Sequence, residues 1–120
     1  MSDRRFPGNV YRRGSEPDAR FSLANERTFL TWVTTGLALL SVGVALDALV
    51  PGLHAGLRKA AAVVLVLAGL AAPLQAWFGW MRTEAALREG TPLPPAFLAP
   101  WLVVALVVAG LLVLIGVVVP

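Results

Sequence analysis

The residues best suited to bind a ligand are three arginines near the ends of the predicted membrane helices. Arg20 and Arg27 lie about two helical turns apart before the first apolar segment, and Arg82 follows the second one. A guanidinium binds phosphate oxygens through two parallel hydrogen bonds, so such arginines suit a phosphate or another polyanion. At a membrane surface, however, arginines also extend toward water or contact lipid phosphates. The sequence predicts anion or phosphate contact at Arg20, Arg27 and Arg82, with a lipid headgroup as the alternative partner.

A face of small and polar residues continues from these arginines. Steps of three and four residues, which is the spacing of one helix face, connect its members. They are Thr31, Thr34, Ala38 and Ser41 on the first segment, with Gln75 and Gly79 aligned in the same way on the second. Small residues let membrane helices pack closely, which explains the face without a further function. The same face would also suit the lining of a bundle or of a pore made by several copies, because polar groups in membranes face protein or water. Both interpretations stay open.

The remaining residue types argue against catalysis. The chain has no cysteine and one histidine, His54, so thiolate metal sites and a histidine-based triad are not expected. No two carboxylates are spaced for acid–base work, and no phosphate-binding glycine loop is present. A proton-coupled exporter would need a carboxylate within the membrane, whereas the acids lie at the ends of the apolar segments. The sequence predicts no enzyme, no cofactor and no bound metal.

Composition places these residues in a membrane protein. Hydrophobic residues make up 58% of the 120 residues and charged residues 14%, against roughly 25% charged in soluble domains. Residues 28–46, 60–81 and 90–120 contain no charged side chain. A helix of about 20 apolar residues spans a bilayer, and a helix satisfies its own backbone there. The sequence predicts an all-α membrane protein with three transmembrane helices, at about 29–50, 60–81 and 97–119. A soluble bundle would need a polar stripe on each helix, which the third segment lacks.

The distribution of positive charge predicts the orientation. With the N-terminus inside, the cytoplasmic side would carry eight of the ten arginines and lysines, and the other side only Arg58 and Lys59. The positive-inside rule therefore places the N-terminus in the cytoplasm and the C-terminus outside. The net charge of +3 requires no nucleic acid partner.

Turn and capping residues divide the chain into two parts. Residues 1–14 contain little apolar surface, and we expect a flexible cytoplasmic tail followed by a three-helix transmembrane domain over 15–120. Ser15 is predicted to cap the first helix, and Gly90 to end the second. Pro73 predicts a kink in the second helix. Glu84 and Arg88, four residues apart, predict a weak ion pair on its exposed continuation.

The segment from Asn25 to Leu30, together with Trp32, resembles a motif of the YidH-like family of small bacterial inner-membrane proteins. The motif residues are Asn25, Glu26, Arg27, Thr28, Phe29 and Trp32. The resemblance covers about residues 18–120 and extends to the membrane domain of the vacuolar transporter chaperone. It implies a multi-pass protein of the bacterial inner membrane with three helices and a cytoplasmic N-terminus.

The same resemblance suggests a function. In the chaperone, such domains form a ring, and basic residues near its cytoplasmic mouth are thought to guide polyphosphate; Arg20, Arg27 and Arg82 match those positions. These 120 residues contain no segment that resembles the polymerase domain, so we expect no synthesis of polyphosphate by them. We expect a non-enzymatic protein that forms a homo-oligomer or joins another membrane protein in the bilayer, with an anion or polyanion pore. The alternative is an accessory subunit without a pore, in which the small-residue face serves helix packing.

Overall fold

A computed structural model describes residues 4–120 as one short helix followed by three long ones. The helices are α1 (Gly8–Tyr11), α2 (Ala19–Leu49), α3 (Ala55–Glu89) and α4 (Ala99–Val118). Each of the three long helices is long and apolar enough to cross a membrane. The predicted all-α fold with three transmembrane helices is confirmed.

Helices α2 and α3 are longer than a bilayer requires. At 1.5 Å per residue, their 31 and 35 residues extend about 46 and 52 Å, whereas the hydrocarbon core is about 30 Å thick. The charged residues of both helices concentrate where α2 begins and α3 ends. We call this part of the molecule, which also includes the start of α4, the charged end.

The helix termini confirm one predicted cap and correct another. Gly90 adopts a left-handed conformation, with φ of 69°, and ends α3 as predicted. The cap of α2 is Asp18 and not Ser15, because the Asp18 carboxylate accepts a hydrogen bond from the Arg20 amide at 2.9 Å. The backbone amide of Ser15 instead donates to the carbonyl of Arg88 at 3.0 Å, which ties the chain before α2 to the end of α3.

Helices α2 and α3 pack antiparallel through their smallest residues. On α2 the contact is made by Gly36 and Gly43, and on α3 by Gly69 and the buried alanines Ala62 and Ala72. A Cβ added at Gly36 would lie 2.9 Å from the carbonyl oxygen of Gly69, so no side chain fits between the two backbones. Small residues permit this close approach in membrane helices.

Pro73 contributes directly to the contact. Proline lacks an amide hydrogen, so the carbonyl of Gly69, four residues earlier, loses its usual helical donor. This carbonyl is the one that faces Gly36 of α2. Helix α3 continues through Pro73, and the predicted kink stays a prediction.

Side chains from all three long helices meet in a small core. Leu39 of α2, Leu65 of α3 and Ala109 of α4 form its buried centre. At the end opposite the charged one, the amide of His54 donates to the carbonyl of Gly116 at 3.2 Å, joining the start of α3 to the end of α4. Most large side chains of α4 are exposed, which suits a helix that faces lipid.

The glycine contact predicts an asymmetric response to added methyl groups. Gly36→Ala should destabilise the helix pair by about 1–3 kcal/mol, because the new Cβ would meet the backbone of Gly69 and the ring of Pro73. Gly110→Ala on α4, where open space surrounds the position, is the matched control and should leave stability equal or slightly higher. Thermal unfolding in detergent, followed by circular dichroism, measures both; equal melting temperatures would contradict the packing described.

Candidate ligand sites at the charged end

The chain before α2 folds back onto the end of α3. We call residues 4–18 the N-terminal segment. Its anchor is Arg88, a buried residue whose Nε donates to the carbonyl of Arg13 and whose Nη2 donates to the carbonyl of Tyr11, both at 2.9 Å. Val10 of α1 is also buried. Residues 1–3 of the predicted tail lie outside the described residues, and the flexibility of the tail stays a prediction.

Ion pairs reinforce this packing. Arg5 binds both carboxylate oxygens of Glu16, at 3.0 and 2.6 Å, and the Nη1 of Arg88 lies 3.6 Å from the same carboxylate. Arg13 pairs with Glu89 at 3.3 Å. The hydrogen bonds from Arg5 hold the pKa of Glu16 below its ordinary value. Exposed pairs of this kind stabilise weakly one at a time, so the buried Arg88 is the main connection.

Aromatic rings form a row between the N-terminal segment and α3. Phe6 stacks on Trp77 with ring centres 6.0 Å apart, Trp77 stacks on Trp80 at 5.7 Å, and Tyr11 lies 6.0 Å from Trp80. The guanidinium of Arg5 lies 4.3 Å from the centre of the Tyr11 ring. Burial, and then the nearby carboxylate of Glu84, raise the pKa of Tyr11.

Glu84 is buried against α2. Its two carboxylate oxygens accept hydrogen bonds from the Ser22 hydroxyl at 2.9 Å and the Asn25 amide at 3.3 Å. Asn25 also donates to the carbonyl of Trp80 at 3.1 Å, so its side chain joins α2 to α3. The predicted pair between Glu84 and Arg88 is wrong, because Glu84 turns toward α2 while Arg88 turns toward the N-terminal segment.

A cavity of about 310 Å³ opens beside this carboxylate. Five aromatic residues line it: Phe6, Tyr11, Phe29, Trp77 and Trp80. Glu26 and Glu84 add two carboxylates to its wall. We call it the aromatic cavity.

A second, smaller cavity of about 130 Å³ has a mixed lining, in which polar side chains on one part of the wall face aromatic rings and prolines on the other. Asn25, Thr28, Gln75, Arg82 and Thr83 line it, with Phe29 and Trp80 shared between the two cavities. We call it the polar cavity. Hydroxyl, amide and guanidinium donors in one small space are suited to an anion.

The three predicted anion-binding arginines have different surroundings. Arg20 pairs with Asp18 at 3.0 Å. Arg27 is exposed on α2, and Arg82, also exposed, lines the polar cavity. Neither of the two cavities just described includes Arg20 or Arg27, so a single subunit does not gather the three arginines in one pocket. Their contact with an anion stays a prediction.

The structure also separates the predicted small-residue face into two parts. Thr31, Thr34, Ala38 and Ser41 are all exposed, because α2 packs on α3 through its glycine face. The hydroxyls of Thr31 and Ser41 donate to the carbonyls of Arg27 and Leu37 in their own helix, at 3.0 and 2.8 Å. In contrast, Gln75 and Gly79 are half-buried in the polar cavity, and the Gln75 side chain accepts from the Leu98 amide at the start of α4.

The motif residues surround the contact between α2 and α3. Asn25 is buried, Phe29 and Trp32 are half-buried, Thr28 lines the polar cavity and Glu26 lines the aromatic one. Arg27 is exposed. Within residues 4–120, no group of three histidine or acidic side chains is placed to hold a metal ion; the His54 ring accepts from the Leu57 amide as the cap of α3.

Sequence reasoning missed three residues that build the aromatic cavity or hold its walls. Trp77, Trp80 and Glu84 follow one another at helical spacing, and this pattern would have indicated a shared face. The contacts of Arg88 could not be predicted from its neighbours in sequence, because they depend on the N-terminal segment folding back onto α3.

The fold defines a small helical membrane protein with three spans. Comparisons with known proteins identify its family. The family described as Domain of unknown function (DUF202) matches residues 20–86, and the chain belongs to this family. It is 44% identical over 99 residues to an uncharacterized protein of Mycobacterium tuberculosis (strain H37Rv), covering 78% of this chain and 81% of the relative. It is 42% identical over 86 residues to the inner membrane protein YidH of Escherichia coli (strain K12), covering 71% and 75%.

These matches confirm the YidH-like family and a multi-pass protein of the inner membrane. No solved structure matches the chain significantly.

Gly14 provides a direct test of the packed N-terminal segment. It has a φ of 47°, and a Cβ at this position would overlap the backbone carbonyl of Arg88. Gly14→Ala should therefore release the segment and accelerate tryptic cleavage after Arg12 and Arg13 by several-fold. Gly52→Ala, where nothing lies near the added methyl group, is the control. Equal cleavage rates for the wild type and Gly14→Ala would show that the segment is not held as described.

Proposed function

We propose that this inner-membrane protein is non-enzymatic and assembles into a homo-oligomer through the exposed face of α2. The observation that carries the proposal is the exposure of Thr31, Thr34, Ala38 and Ser41 in the single subunit. A different face of α2, with Gly36 and Gly43, already packs on α3. The small-residue face is therefore available for other copies of the chain, and small residues favour close association of membrane helices.

In such an oligomer, α2 faces the central axis and forms a pathway for phosphate-type anions. Arg20 and Arg27 continue the same helix face toward the charged end, which gives the axis a basic mouth. The bias of arginine and lysine toward this end supports a cytoplasmic position for the mouth and the N-terminus. Arg82 and the donors of the polar cavity supply a second contact for the anion at the same end.

An accessory subunit without a pore is the second candidate, and one observation favours it. The hydroxyls of Thr31 and Ser41 are already bonded to carbonyls of α2. Their polar groups therefore need no water or ion, and the face would pack equally well on a helix of another membrane protein.

The number of copies and the effect of Thr34→Leu distinguish the two functions. Native mass spectrometry of the protein in lipid nanodiscs should show a closed ring of several copies. In a ring with a wide pore, Thr34→Leu should lower conductance while the copy number stays unchanged. If the small-residue face only packs against another helix, Thr34→Leu should reduce the copy number, because the larger side chain separates the helices. Gly110→Leu on α4 adds the same side chain in open space and should alter neither. A copy number of one or two would contradict the proposed pore.

The basic mouth is tested by removing one charge at a time. Arg27→Gln and Arg82→Gln should each reduce the permeability of phosphate relative to potassium by several-fold, because each removes a positive charge that attracts the anion. Reversal potentials in planar bilayers measure this ratio. Lys59→Gln, at the opposite end of the helices, is the control and should change the ratio less. Unchanged ratios in both arginine variants would rule out the proposed mouth.

A further inference from the structure

We propose that the aromatic cavity binds an organic ammonium cation, with Glu84 as its counter-ion. This cavity lies beside the contact between α2 and α3, whereas the exposed α2 face proposed to line the oligomer turns away from that contact. The inference therefore does not rest on the exposed α2 face, although the aromatic cavity shares Phe29 and Trp80 with the polar cavity beside it.

The walls of the cavity have the chemistry of a cation site. Trp77 and Trp80 stack on each other with ring centres 5.7 Å apart, and Phe6 and Tyr11 extend the row on the side of the N-terminal segment. The faces of aromatic rings attract ammonium groups, and cages of such rings recognise quaternary ammonium ligands. Aromatic walls offer few oxygen ligands to a metal ion, so they favour an organic cation.

Glu84 supplies the negative charge, and its described contacts within residues 4–120 include no cationic partner. Its side chain is almost fully buried, with the residue 3% exposed, and its two hydrogen bonds come from the neutral groups of Ser22 and Asn25. The ion pairs described within residues 4–120 do not include Glu84. A buried carboxylate is costly without a positive partner. A bound ammonium group would provide that partner, while Ser22 and Asn25 hold the carboxylate in place.

The arginines near the cavity lie over its Tyr11 ring, Arg5 at 4.3 Å and Arg88 at 5.5 Å from the ring centre, and their described hydrogen bonds go to groups other than Glu84. Arg5 binds Glu16 through two hydrogen bonds and covers the ring of Tyr11, and Arg88 donates to the carbonyls of Tyr11 and Arg13. The charged groups that line the cavity are the carboxylates of Glu26 and Glu84. A volume of about 310 Å³ lies at the small end of the usual range for ligand pockets and suits a cation with one ring or a few alkyl groups.

Binding of the cation and packing of the N-terminal segment on α3 are expected to be coupled. Phe6 and Tyr11 belong to this segment and form part of the cavity wall, while Arg88 holds the segment on α3. A cation that contacts these rings stabilises the packed segment, and the packed segment raises the affinity for the cation by the same factor. The expected ligand is a soluble organic ammonium ion or the ammonium headgroup of a lipid, which share this chemistry.

Binding of phenyltrimethylammonium to the full chain tests the proposal. The protein is placed in nanodiscs of phosphatidylglycerol, which has no amine, and isothermal titration calorimetry measures binding, because Trp32 and Trp101 would also contribute to the tryptophan emission. Phenyltrimethylammonium should bind saturably, and its neutral isostere tert-butylbenzene should bind about tenfold or more weakly. Glu84→Gln should lower the affinity for phenyltrimethylammonium by about tenfold or more and leave the affinity for tert-butylbenzene unchanged. Asp47→Asn, which removes a carboxylate outside the cavity, is the matched control and should retain wild-type affinity.

A second variant and a second lipid complete the test. If Glu84→Gln does not fold, Trp77→Leu serves instead. It should lower the affinity for phenyltrimethylammonium, because it removes one aromatic wall of the cavity. Nanodiscs of phosphatidylethanolamine distinguish the sources of the ligand: competition with the probe indicates a lipid headgroup, and unchanged affinity indicates a soluble cation. Equal binding of the charged and neutral compounds, or wild-type affinity in the Glu84 or Trp77 variant, would overturn the proposal.

Discussion

The close contact between Gly36 of α2 and Gly69 of α3 determines the arrangement of the other parts. A Cβ at Gly36 would lie 2.9 Å from the Gly69 carbonyl oxygen, so the two backbones approach as closely as glycine allows. Pro73 removes the helical donor of that carbonyl, and the oxygen faces α2 instead. Because the contact selects the glycine face of α2, Asn25 is directed toward Trp80 and Glu84, and Thr31, Thr34 and Ser41 are left exposed.

The packing therefore gives this short chain two candidate binding surfaces. One is the exposed α2 face with Arg20 and Arg27, which we propose faces other copies and an anion. The other is the aromatic cavity with Glu84, which we propose binds a cation. Their charges have opposite sign, and the α2 face turns away from the aromatic cavity, whereas the polar cavity with Arg82 shares Phe29 and Trp80 with it. Helix α4 contributes mainly apolar surface for the lipid.

Two buried charges on one helix illustrate how the charged end is built. Glu84 and Arg88 are one turn apart, yet Glu84 accepts from Ser22 and Asn25 of α2, and Arg88 donates to the carbonyls of Tyr11 and Arg13. Each fixes a different neighbour to the end of α3. Together they position the two sides of the aromatic cavity, α2 through Glu84 and the N-terminal segment through Arg88.

Local composition was enough to predict the elements of this protein. Three uncharged segments indicated three membrane helices, and Gly90 indicated the end of α3. The way the helices pack determines which face of α2 is buried, why Asp18 and not Ser15 caps α2, and why Glu84 and Arg88 do not pair. Hydropathy and helical spacing describe one helix at a time, whereas these outcomes depend on which backbone comes close enough to compete for each hydrogen bond. The carbonyls of Tyr11 and Arg13 and the side chain of Asn25 become available to α3 only when distant parts of the chain meet.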